Sequence, residues 1–245
     1  MIQTRVDNQN FPFIRGGNGY DKEPVTIEQD AGRSTDLLAF TVLGKKVSSV
    51  ATSGTADAGN TGDGTCTSVA QLGPDAAQVG SYNLECTTKI ATGGVFKLEG
   101  PNGELLASGL TITLTVATVF NAGGLTFILT PGATDFEVGD KFAIVSSAVN
   151  KYVPLDPAAV DGSQYFAGIY TQFDIPSATL VAGDYDDAKV LIGGDKVLLD
   201  ADQIVLENSV TLSTVLQNGK TLEENMNEVG IWTTDTIDID ELENV

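Results

Sequence analysis

Apolar and polar residues alternate with a period of two through the middle of the chain. Tyr82, Leu84 and Cys86 alternate with Asn83 and Glu85, Phe96 and Leu98 with Lys97 and Glu99, and Ile112, Leu114 and Val116 with threonines. Side chains two positions apart share one face of a strand, so this pattern predicts half-buried antiparallel strands. Gly93-Gly94, Pro101-Asn102-Gly103 and Ala122-Gly123-Gly124 fall between them and supply the backbone freedom that tight reversals need. From Thr65 to Ile144 the reading is a small antiparallel β-sandwich. Ahead of it, Thr52–Gly64 holds only small and polar residues and reads as a mobile linker.

Outside this block the pattern is less regular. Leu37–Leu43 is a buried strand closed by Gly44-Lys45-Lys46, and Lys151–Asp156, Phe166–Tyr170, Ala188–Ile192 and Lys196–Leu199 are strand-like. Asp200 is placed to cap a short helical turn over Ala201–Leu206. A longer helix is expected within Thr211–Val229, where Thr221 and Glu224 have capping-box spacing. Ile231-Trp232 and a strand-like Thr236–Ile239 lead into an acidic tail. Residues 1–35, with Phe11-Pro12-Phe13-Ile14 and Gly16-Gly17-Asn18-Gly19, show no sustained period and read as an extended arm. The chain is therefore mainly β. Its expected domains are an arm (1–35), a discontinuous body (36–50 and 146–245) and an inserted sandwich with its linker (51–145).

Charge narrows the function. With 33 acidic against 13 basic residues the net charge is −20, which repels phosphate backbones and argues against nucleic acid. The same charge opposes assembly unless buried contacts outweigh it. No apolar stretch has the roughly 20 residues of a membrane-spanning helix, and the first residues lack the apolar core of a secretory signal, so synthesis in the cytoplasm and no membrane partner are expected. In that setting Cys66 and Cys86 read as reduced core thiols, with a disulfide as the alternative.

Histidine is absent, which removes Ser-His-Asp and Cys-His nucleophiles, histidine proton transfer and His-containing zinc sites. Carboxylate chemistry remains. Asp184, Asp186 and Asp187 lack the spacing of a calcium loop, and Asp238, Asp240, Glu241 and Glu243 lie in a tail without apolar surroundings to raise a pKa. Gly193-Gly194-Asp195-Lys196 reads as a hairpin turn, because the spacing and the Ser/Thr of a phosphate loop are missing. No catalytic residue, no metal ligand and no cofactor is assigned. Trp232 reads as a core residue or a contact between subunits, ahead of a sugar-stacking platform.

The order Lys151-Tyr-Val-Pro-Leu-Asp156, Phe166-Ala-Gly-Ile-Tyr170, a glycine-rich turn, a small helix and Gly230-Ile231-Trp232 resembles the body of lambda-type phage head decoration proteins. Gly93-Gly-Val-Phe-Lys-Leu-Glu-Gly-Pro-Asn-Gly103 and Asp135-Phe-Glu-Val-Gly-Asp-Lys-Phe142 resemble the Ig-like sandwich inserted in larger members. The resemblance implies a β-tulip-like body with short helices and a structural virion protein on the outer surface of the expanded capsid. Its partners would be the major capsid protein and further copies of itself, as a homotrimer or alternatively a dimer. The arm residues Phe11, Pro12, Phe13, Ile14 and Arg15 would touch the capsid, and Trp232 would be the oligomer contact. The alternative function is a surface adhesin that binds carbohydrate or a receptor through the sandwich.

Overall fold

The computed structural model describes residues 13–15, 20–73, 77–113, 116–194 and 197–234. The strands are β1 (Phe13–Arg15), β2 (Tyr20–Ile27), β3 (Val42–Val50), β4 (Ser53–Ala56), β5 (Thr65–Gln71), β6 (Gly80–Ile90), β7 (Gly93–Glu99) and β8 (Leu105–Ile112). They continue with β9 (Thr118–Ala122), β10 (Leu125–Thr130), β11 (Lys141–Pro154), β12 (Phe166–Tyr170), β13 (Tyr185–Gly194), β14 (Val197–Asp200) and β15 (Ile231–Thr234). The α-helices are short, α1 at Ser177–Ala182 and α2 at Leu222–Glu228. The fold is mainly β. The chain divides into two compact units, one formed by the chain to Lys45, Lys151–Pro157 and Ser163 onward, the other by Lys46–Asn150 and Ala158–Gly162.

In the first unit five strands close on themselves in the order β2-β13-β12-β3-β11, and β11 returns to β2 through the parallel pair Tyr152 and Ile27. Each strand sends a side chain to a common interior: Ile27, Leu43, Tyr152, Tyr170 and Val190, all buried. The neighbouring residues Val42, Ile169 and Leu191 face the other way. They pack with Val197 and Leu199 of β14, Ile231 of β15, and Leu222 and Met226 of α2. With both faces covered, adjacent positions are both apolar, and the strands read as continuous runs instead of alternating ones. Gly44 stands where β3 touches the backbone at Ser163, and any Cβ there would overlap the Ser163 carbonyl oxygen.

The second unit holds the expected sandwich. Its strands follow the order β8-β7-β6-β11-β4-β5-β10-β9. Tyr82, Leu84, Cys86, Phe96, Leu98, Leu125, Phe127, Leu129, Phe142 and Ile144 all point into one core. Phe136 plugs it, edge-on to Phe96 at 5.0 Å and to Phe142 at 6.1 Å between ring centroids.

Thr52–Gly64 is not a free linker. Ser53–Ala56 forms β4, and the next residues are tied down by side chains far along the chain. Asp140, 3% exposed, accepts hydrogen bonds from the backbone N–H groups of Thr61 (2.8 Å), Gly62 (2.9 Å) and Glu137 (2.9 Å). Asn60 and Lys141 exchange a pair of bonds, and Asp63 accepts from the Thr134 N–H. The segment is short of apolar residues because acceptors, not burial, hold it.

Part of the expected arm is also strand. Tyr20–Ile27 pairs antiparallel with β13 through Val25 and Ala188, Pro24 and Lys189, and Glu23 and Val190. Residues 21–24 are exposed and end in Pro24, and after them only Val25 and Ile27 mark the strand as apolar. The two predicted caps are present but the helices are shorter. Asp200 accepts from the Asp202 N–H ahead of a 3₁₀ turn at Ala201–Gln203. Thr221 and Glu224 form a reciprocal capping box at the start of α2.

Candidate functional site

Among the described residues Phe173 is the most exposed large apolar side chain, and it stands on a surface built by two loops, Glu28–Thr41 and Thr171–Pro176. Their backbones are joined at Leu37 and Ile175, which exchange N–H···O bonds of 2.9 and 2.8 Å. Side chains then fix both loops. Asp174 accepts from the Ala39 N–H at 2.7 Å, Asp36 accepts from the Ser177 N–H at 2.8 Å, and the Tyr170 hydroxyl donates to the Phe173 carbonyl at 2.7 Å. Above this frame Phe173 is 77% exposed and Leu38 is 43% exposed.

Beside Leu38 runs an open groove lined also by Thr35, Asp36, Val205, Glu207 and Asn208. Arg33 bonds to two of these lining residues, Asp36 and Glu207. Its side chain is 6% exposed and holds the Glu207 carboxylate in a fork, 2.6 Å from Nη2 to Oε1 and 3.2 Å from Nη1 to Oε2, while Nη2 also donates to the Asp36 carbonyl. A bidentate, largely desolvated pair of this kind fixes geometry as well as charge.

The backbone beneath is constrained too. Phe40 is buried yet sits at φ 68°, a region costly for a bulky residue. Its N–H donates to the Tyr170 carbonyl at 2.8 Å and its carbonyl accepts from the Val205 N–H at 3.1 Å, so the strands on either side hold it there.

The carboxylates of this surface are taken up in structural bonds. Asp36 and Asp174 cap backbone N–H groups and Glu207 is engaged by Arg33. Burial pushes the Tyr170 hydroxyl well above the ordinary tyrosine range, with the nearby Tyr185 and Asp174 adding to it.

Of the other acidic candidates, Asp184 and Asp186 have structural partners. Asp184 pairs with Lys151 at 2.7 Å and accepts from the Gln29 N–H at 2.8 Å, and these bonds hold its carboxyl below the usual range. Asp186 accepts from the Thr26 hydroxyl. Cys66 and Cys86 are free buried thiols on β5 and β6, and burial pushes the Cys66 pKa up to about 11. Asp195, Lys196 and the acidic tail lie outside the described residues.

Of the expected contact residues, Phe11 and Pro12 lie outside the described residues. Phe13–Arg15 forms β1, whose backbone pairs with β14 at Leu199 and Leu198. Trp232 lies on β15 opposite Leu198 and is 46% exposed, so it is not a core residue. Sequence reasoning missed Phe173, and it placed Leu38 in a buried strand, whereas β3 begins only at Val42 and Leu38 is exposed. The available signal was the position of Phe173, between Gln172 and Asp174 and ahead of Pro176, beyond the end of an apolar strand.

No protein-family profile matches the chain, and no curated protein matches it. Among solved structures it is similar to FlgL of Xanthomonas campestris, at 20% identity and a TM-score of 0.30 over 45% of this chain and 33% of that one. It is similar to the flagellar junction protein FlgL of Legionella pneumophila, at 13% identity and 0.32 over 47% and 38%. A third is the flagellar hook junction protein FlgK of Burkholderia pseudomallei, at 20% identity and 0.32 over 53% and 21%. The chain thus spans about a third of the FlgL proteins and a fifth of FlgK.

These overlaps are too slight to assign a function. They do correct the expected resemblance, because the similar solved structures are flagellar junction proteins and not phage head decoration proteins. The capsid-stabilising role, the major capsid protein as partner, the trimer on the head and the virion location fall with it, as does the adhesin alternative. The reason is physical: strands, glycine turns and a capped short helix in that order recur in many β proteins.

Proposed function

We propose that the chain is a structural, non-catalytic component that works by contact, docking on another protein through the loop surface around Phe173. The observation that carries this reading is Phe173 itself, 77% exposed on a loop whose backbone and side chains are pinned. A pinned backbone leaves only the side chain itself to be ordered on binding, and aromatic residues are enriched at protein contacts. Trp232, half exposed on β15, is a second contact candidate.

The test is to fractionate cells producing the full chain by size and to compare the native protein with Phe173→Asp. The native chain is expected in large complexes, and the variant in the free fraction with an unchanged melting temperature. A native chain found wholly free, or a variant that stays in the complexes, overturns the proposal.

A further inference from the structure

We infer that the outer edge of β9 is a self-association site, on which a second copy of the chain lays its own β9 antiparallel about a two-fold axis. This concerns the second unit and stands apart from the contact role proposed for the first.

Among the described residues β9 pairs with β10 alone and β8 with β7 alone, so both are edge strands. Edge strands present unpaired N–H and C=O groups and are normally blunted by charge, proline or a bulge. β8 is blunted. Its register with β7 shifts between Phe96 and Leu98 and again before Glu99, and Gly109 sits there at φ 71°. β9 has no such protection: its register with β10 runs unbroken from Thr118 and Leu129 to Ala122 and Leu125. Its sequence, Thr-Val-Phe-Asn-Ala, contains neither a charge nor a proline. It lies within Leu105–Thr134, thirty consecutive residues without a Lys, Arg, Asp or Glu. Val119 is 62% exposed on it.

Charge selects the occupant. Two molecules of net charge −20 repel over most of their surfaces, and the uncharged edge is where they approach at least cost. Two identical uncharged edges are also self-complementary, as a two-fold contact requires. Added salt should therefore tighten the association, since screening weakens the repulsion and leaves the backbone bonds.

The test is sedimentation velocity of the full chain over a concentration series at low and high sodium chloride, for the native protein, Val119→Lys and Val119→Glu. A dimer that tightens with salt is expected, weakened about fivefold or more by both substitutions, because like charges then face each other across the two-fold. Amide exchange at Thr118–Ala122 in the native protein should slow as concentration rises, a reading that needs no variant. A monomer under all conditions overturns the inference. So does a dimer that Lys strengthens and Glu weakens, which would be a net-charge effect, or one that leaves β9 exchange unchanged.

Discussion

The two units bury similar kinds of residue in opposite ways. In the second, each strand has one apolar face, and Tyr82, Leu84 and Cys86 meet Phe96, Leu98, Phe127 and Phe142 in a single core. In the first, a closed ring of strands is covered inside and out, so that Leu43 and Val42, or Tyr170 and Ile169, enter different cores from adjacent positions. Because its sheets are open, the sandwich keeps outer edges at β8 and β9. Closure through β11 and β2 removes edges from the ring and leaves exposure to its loops, where Phe173 stands.

The contrast can be broken most sharply at Phe136. Truncating it to Ala empties the space between Phe96 and Phe142 and should cost about 3–5 kcal/mol, read by urea unfolding followed with circular dichroism. A loss under about 1 kcal/mol would mean that the sandwich core closes without its plug.

Asp140→Ala comes next, at about 2–3 kcal/mol, because three backbone N–H groups lose a buried charged acceptor. Burial raises the pKa of this carboxyl, but its three N–H donors together outweigh that and leave it below the ordinary value. A depressed folded pKa contributes stability above the unfolded value of about 3.9, and that stability is lost as pH falls through the lower folded value. The native protein should thus weaken in acid below about pH 4, and the Asp140→Ala variant should show a shallower acid slope.

The smallest effect is expected in the first unit. Thr221→Ala removes one side of the capping box and should cost about 1 kcal/mol, followed through the fluorescence of Trp232, the only tryptophan. If the loss equals that of Asp140→Ala, α2 anchors its unit more firmly than a seven-residue helix should.

Where burial was one-sided, the sequence was easy to read. The alternation of β6 and β7 and the Thr221 and Glu224 spacing are local signals, and local structure follows them. The caps that order Thr61 and Gly62 come from Asp140, 79 and 78 residues away, and composition alone cannot show such a partner. β2 was hidden because half of it faces solvent and Pro24 interrupts it. The passage between units falls inside β3 and β11, at Lys45–Lys46 and Asn150–Lys151, within a strand and not at a loop. The site was least legible of all, since the exposure of Phe173 depends on which loops meet at Leu37 and Ile175.

The pairing of β2 with β13 also sets a timetable. Thr26 and Asp186, which bond across these strands, are 160 residues apart, so at a ribosomal pace of about 5–20 residues per second β2 waits roughly 10–30 seconds for its partner to be made. During that interval it is a lone strand in a crowded cell. Asp21, Lys22, Glu23 and Pro24, which obscured it as a strand, are the residues that keep such a segment from pairing with the wrong chain before its own arrives.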